Sequence, residues 1–219
     1  MTLVDMTMSN MSGSSLYSLK QQSLSMAKDL SAATKTVTDA VTIYANENES
    51  VSSMLNKAQP TVLLSAASGM SSSSSADAIQ GILNQFNLSE DQAMHVADTV
   101  EKLSSEIALD FSKGCDTISQ SIATSGSVVN EAGMSFEKYA ALVSTTAEKT
   151  RVSGSQIGNA FKTIFSRISR SKDGLTTDAE MSDAEAALKS VGVSVRGADG
   201  DLRDISDTLN DLNKVCIMQ

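Results

Sequence analysis

The sequence predicts an all-α fold, a multi-helix globular bundle opened by a long N-terminal helix and varied only by a small β-hairpin near residues 193–203. Composition supplies the first reason. The 219 residues include one proline, Pro60, no tryptophan and 4% aromatics. Ala, Ser, Leu, Met and Gln are plentiful and β-branched runs are few, which favours helix over a β-sandwich or barrel. Pattern supplies the second, since apolar residues recur at spacings of three and four behind recognisable caps. With 41% hydrophobic and 20% charged residues, the balance is globular rather than disordered, and the length suits one or two ordinary domains.

Residues 1–14 lack any period and read as a disordered tail. Residues 15–88 read as an N-terminal helical region with a Ser-rich hinge. In it Leu30, Ala33, Val37, Ala40, Val41 and Tyr44 fall on one helical stripe, which Asn46 to Ser50 break. A narrow seven-residue repeat over 16–46 is too short for a coiled coil, yet it makes this helix the expected self-association or partner-contacting element. A short helix over 51–58 is expected to stop before Pro60, because proline cannot donate the helical hydrogen bond. Thr61 to Ala67 then form an apolar turn or helix. The tract Ser71–Ser75 is either a flexible hinge or the N-cap of a helix over Ala76–Phe86.

Residues 89–172 read as a helical core. Ser89 and Gln92 have capping-box spacing, and Ala93, Val96, Ala97, Val100, Leu103 and Ile107 lie within about 120° of a helical wheel, with His95 on the other side. Asp110 caps a helix through Ile118 and Ile122 to Ala132, which Gly133 ends. Ser135 opens the next, with Phe136, Tyr139, Ala140, Val143 and Ala147 on one face. Ser153 and Gln156 form a second capping box before the stripe Ile157, Phe161, Ile164, Phe165 and Ile168. Over 173–219, Ser182 with Glu185 caps a helix ending at Gly192. Val193–Val195, Asp199-Gly200 and Leu202 make the hairpin, and Asp204 opens a last helix with Ile205, Leu209 and Leu212 inward. The expected core is Val96, Val100, Leu103, Ile118, Phe136, Tyr139, Val143, Ile157, Phe161, Ile164 and Phe165.

A formal net charge of -9 and a pI near 4.6 argue against a nucleic-acid binder, which needs cations to neutralise phosphates. The cations cluster: residues 131–172 hold seven Lys/Arg against three acids, and residues 173–219 hold four against ten. Cys115 and Cys216 have no neighbouring Cys or His to complete a zinc site and form no disulfide framework. The first residues have no secretory-signal pattern, and no apolar run nears the roughly 20 residues of a bilayer span, so the chain reads as soluble and made in a reducing cytoplasm.

Catalytic chemistry finds no constellation. His95 is the one histidine, and on the polar side of its helix it reads as a surface residue, not a triad member or metal ligand. Asp199, Asp201 and Asp204 around Gly200 resemble a calcium loop, but Asp204 stands where the EF-hand needs glycine, so turn and cap duty is expected. The basic set from Lys138 through Lys149, Arg151, Lys162, Arg167 and Arg170 to Lys172 reads as a solvated face, or else as a contact for an acidic protein surface. Gly154 and Gly158 suit close backbone packing. Met94 and Met134 read as core fillers, and Cys115 as a small buried hydrophobe. No catalytic, cofactor-binding or metal-binding residue is assigned.

The stretch EAGMSFEKYAALVSTTAEKTRVSGSQIGNAFKTIFSRISRSKDG, Glu131 to Gly174, resembles the core region of phage tail tape measure proteins of the Gram-positive phage and prophage type. TKTVTDAVTIYANE, AQPTVLLSAASGMSSS, FNLSEDQAMHVADTVEKLSSE and DFSKGCDTISQSIATSGSVVNEAG resemble the same family upstream, and ALKSVGVSVRGADGDLRDISDTLNDLNKV does so downstream, covering about residues 29–215 in order. The resemblance implies a non-enzymatic virion protein that occupies the tail tube, sets tail length and leaves ahead of the genome. It also implies tail tube subunits, tail assembly chaperones and baseplate hub proteins as partners, with self-association into a small bundle and no cofactor. Assembly would take place in the bacterial cytoplasm, and the product would sit in the virion tail.

Family members are usually far longer. Even one unbroken helix of this length would reach only roughly 330 Å, and NDLNKV runs abruptly into CIMQ, so a truncated frame, prophage remnant or excised fragment is expected. The alternatives to a tape measure module are a prophage-derived helical adaptor and, third, a wall hydrolase, which would need a carboxylate pair or Cys/His pair that the sequence does not offer.

Overall fold

The computed structural model describes residues 13–45, 50–107, 110–169, 183–201, 203–204, 207–211 and 214. Among these residues the helices are α1 Gly13–Asp29, α2 Thr34–Ala45, α3 Val51–Ser68, α4 Ser72–Phe86, α5 Ala93–Glu106, α6 Phe111–Glu131, α7 Phe136–Thr150, α8 Gly154–Ser169 and α9 Asp183–Ser190, with a 3-10 turn at Glu90–Gln92. No strand occurs among the described residues. The chain divides into two compact units, Met1–Ser119 and Gln120–Gln219, so the division falls inside α6.

Polar residues at the helix ends explain most of these boundaries. Ser50, Ser71 and Ser135 accept hydrogen bonds from the main-chain N–H groups of Ser53, Ser74 and Lys138, satisfying donors that a helix start leaves open. The serine tract at 71–75 thus supplies the cap and first turn of α4. Asp110 caps α6 through the Lys113 N–H, and Ser153 and Gln156 form the reciprocal capping box ahead of α8. At the other ends, Gly133 donates to the Asn130 carbonyl and Met134 to that of Val129, the paired bonds of a Schellman stop; Gly192 and Val193 repeat them on Lys189 and Leu188.

Three expected boundaries move. The single N-terminal helix is two, because Ser31 adopts φ 51° and closes α1 with its own Schellman pair, Ser31 to Lys28 and Ala32 to Ala27. The apolar period ran through this break because Leu30 and Ala32 still pack on the core. α3 does not stop at Pro60 but runs through it. An internal proline costs about 3 kcal/mol, yet burial of Met54, Leu55, Val62 and Leu64 in the same helix outweighs that at about 1.5–3 kcal/mol each. Asn56, whose carbonyl loses its partner, lies at the exposed surface. Finally, Ser89 makes no side-chain cap bond; the Gln92 N–H meets the Ser89 carbonyl instead, and a 3-10 turn precedes α5.

In residues 1–119, α3 is the central element, touching α1, α2, α4 and α5, and ten of its eighteen residues are buried. In residues 120–219, α8 packs against α7 and α9. The expected hairpin near 193–203 shrinks to a tight reversal around Gly200, φ 87°, closed by Gly197 N–H on the Asp201 carbonyl and Arg203 N–H on that of Val195, both 2.9 Å. Arms this short cannot stand as a ribbon without further strands.

Candidate functional site

α2, α3 and α4 converge on a buried polar group that the sequence reading missed. Lys57 is 0% exposed, one of the ten buried residues of α3. Its Nζ lies 4.7 Å from the centroid of the Tyr44 ring and donates to Gln80 Oε1 at 3.0 Å. The ring's negative face and the amide oxygen replace water around the ammonium group. Thr61 Oγ1 donates to the Lys57 carbonyl at 2.8 Å. Since a hydroxyl has one proton, the 2.7 Å contact between Tyr44 and Thr61 has Tyr44 as donor.

A related arrangement holds α6, α7 and α8 together. Tyr139 is fully buried. Ser125 Oγ donates to the Ser121 carbonyl, so the Tyr139 hydroxyl donates to Ser125 Oγ, and Ser121 Oγ approaches the same phenol oxygen at 3.3 Å. Burial pushes the Tyr139 phenol up, with the two serines opposing it. Its ring meets Phe161 and Phe165 edge-on, at 5.6 and 6.2 Å between centroids. α8 comes close because Gly158 faces α6: a Cβ there would lie 2.7 Å from Thr124 Cβ and 2.8 Å from the Ser121 carbonyl oxygen. At Gly158 this is the close backbone packing expected of the Gly154 and Gly158 pair.

The glycine contact also corrects the core. Val96, Val100, Ile118, Phe136, Tyr139, Val143, Ile157 and Phe165 are buried, Leu103 and Phe161 are half-buried, and Ile164 is 44% exposed. The expected stripe of α8, Ile157, Phe161, Ile164, Phe165 and Ile168, places Ile164 inside the core. Because Gly154 and Gly158 are buried as well, the true centre lies along Gly158, Phe161 and Phe165, and Ile164 falls at its rim. The side chains of Arg167, Ile168, Arg170 and Lys172, and the residues Ser182, Leu202, Ile205, Leu212 and Cys216, lie outside the described residues.

The candidate chemical residues are not drawn into one place. His95 is exposed on α5, Met94 half-buried and Met134 buried. Cys115 is buried, which raises its thiol, with Ser104 opposing. Among the described residues no three or more His, Cys, Asp or Glu are grouped to hold a metal ion. Asp199 Oδ1 accepts the Asp201 N–H at 3.2 Å, a turn-forming contact. Asp204 accepts from Lys138 Nζ at 2.6 Å, which holds that amine above its usual range. Arg196 joins half-buried to Glu185 at 3.2 Å. Arg203 and Lys214 meet Asp211 at 2.8 and 3.0 Å and lower its carboxyl.

These features are those of packing and surface contact. The sequence signal for the Lys57 site was the stripe Met54, Lys57, Thr61, Leu64 and Ser68 at spacings of three and four, in which polar residues occupy buried positions.

A family described as phage-related minor tail protein matches residues 20–216. The chain is 23% identical over 197 residues to the probable tape measure protein of Escherichia phage P2, an alignment covering 90% of this chain and 22% of that protein. The chain therefore matches less than a quarter of the length of this curated relative. No solved structure matches. No described helix is long and apolar enough to cross a membrane.

Proposed function

The chain belongs to the family of phage-related minor tail proteins, and from that premise we propose that it acts as the folded helical part of a tail tape measure protein. Its role is structural: it contributes to tail assembly and to setting tail length within the tube, with tail tube subunits, tail assembly chaperones and baseplate hub proteins as partners. Assembly proceeds in the host cytoplasm and places the protein in the virion tail, without catalysis or a cofactor. The observation that carries this reading is a family likeness running through both compact units. Cores closed by neutral hydroxyls, ring contacts and one enclosed lysine suit a packing module.

The test is genetic. Removing codons 89–172 in frame from the phage or prophage encoding the chain should yield lysates with heads but with tails absent or abnormal in length by electron microscopy. Tails of normal number and length would overturn the reading.

A further inference from the structure

The outer face of α1 carries an inference that rests on this reading and names a partner chemistry it leaves open. α1 buries Leu19 and Ala27, with Leu16 and Met26 packed against the same core. Across the helix, seven residues apart, Tyr17 is 66% and Leu24 44% exposed. At 100° per residue Gly13, Tyr17, Lys20, Gln21, Leu24 and Lys28 share a sector about 100° wide, centred roughly 120° from the buried stripe. Gln21 Nε2 donates to the Tyr17 hydroxyl at 3.2 Å.

Single exposed apolar residues are ordinary. Here two large ones share one line at heptad spacing, the geometry of a helix seam. The charge on the line is also one-sided. Lys20 and Lys28 flank the apolar pair and are exposed, and the sector holds no carboxylate in a chain with 26 acids against 17 bases.

We propose that this face docks an acidic amphipathic helix of another protein, its apolar residues on Tyr17 and Leu24 and its carboxylates on Lys20 and Lys28. A second copy of α1 is the wrong occupant. Face to face, two copies would bring four lysines and no carboxylate into one seam, and like charges so placed oppose association. α1 is about 26 Å long and offers two anchors, so the contact belongs to the small, transient class of interface.

The full chain is titrated with two fluorescent helical peptides of one leucine heptad pattern, flanked by Glu in one and by Lys in the other. The Glu peptide should bind, more weakly as salt rises, and the Lys peptide should not. Lys20→Glu with Lys28→Glu should reverse that preference. Tyr17→Ser with Leu24→Ser should weaken binding at least about tenfold, with the helical circular dichroism unchanged because both side chains are exposed. The proposal is overturned if the Glu peptide does not bind, if both peptides bind equally, or if either double variant has no effect. It is also overturned by a dimer of the chain that Tyr17→Ser with Leu24→Ser dissolves. Any of these leaves the tail-assembly reading standing, while normal tails from the deletion phage would remove that reading and leave peptide binding intact.

Discussion

Tyr44 in residues 1–119 and Tyr139 in residues 120–219 are both fully buried, and each gives its hydroxyl proton to a Thr or Ser that donates to the carbonyl four residues earlier. The polar tip is thus satisfied in the same way twice, by a side chain one helical turn from its own acceptor. The rings differ. Tyr44 carries an ammonium group over its face, whereas Tyr139 packs nearly perpendicular to two phenylalanine rings. The hydroxyl solution is local and recurs wherever Ser or Thr lies on a buried stripe, whereas the ring's neighbour depends on which helix arrives from elsewhere.

Truncating the aromatic side should break the second unit most. Phe165→Ala should cost about 3–5 kcal/mol in urea unfolding, because a fully buried ring leaves a cavity. Ile164→Ala, one residue away but exposed, should stay within about 0.5 kcal/mol. Half-buried Phe161 should fall between them. Comparable losses at 164 and 165 would mean that α8 is rotated from the position described.

Lys57 sharpens the contrast. Lys57→Ala empties a buried site and should cost about 2–4 kcal/mol, as other large-to-small core changes do. Lys57→Met keeps the stem and removes the charge, and should be neutral or stabilising by about 1–4 kcal/mol, as when buried ionic groups give way to apolar ones. Should Lys57→Met be as damaging as Lys57→Ala, the ammonium contact with Tyr44 and Gln80 would be a net source of stability rather than a satisfied cost.

One substitution should have opposite signs in the two units. Gly158→Ala drives a methyl into Thr124 and the Ser121 carbonyl and should cost about 1–3 kcal/mol. Gly81→Ala, inside α4 with nothing within 4 Å of the added atom, should gain about 0.5–1 kcal/mol from helix propensity. Thermal melts of both variants check the pair, and equal signs would refute the close contact at Gly158.

The mildest effect concerns pH. Tyr139 has its folded pKa raised above 10.0, mainly by burial. The folded state therefore holds its proton more tightly than the unfolded chain, and this contribution is intact below pH 10.0 and lost as pH rises through the folded pKa. Tyr139→Phe should flatten the alkaline fall in melting temperature. An unchanged profile would show that the phenol is not what titrates.

Much of the fold was legible because it is written in local terms. Caps at Asp110, Ser135 and Ser153 act within three residues of themselves, and a helical stripe such as Phe136, Tyr139, Ala140, Val143 and Ala147 needs only its own period to be read. The misreadings share a different cause. Pro60 and Ser31 were decided by how much apolar surface lay beyond them, and Ile164 by a pair of glycines whose lack of side chain makes them invisible to hydrophobic periodicity. Sequence by itself determined that the chain is helical, where most helices begin and end, and which family it belongs to, since these depend on residue types and short spacings. Only the tertiary structure decided that Lys57 lies under a tyrosine ring, that Gly158 sets the face of α8, and that Tyr17 and Leu24 stay outside. Each of those depends on the approach of a helix distant in sequence, and no spacing within one helix encodes that approach.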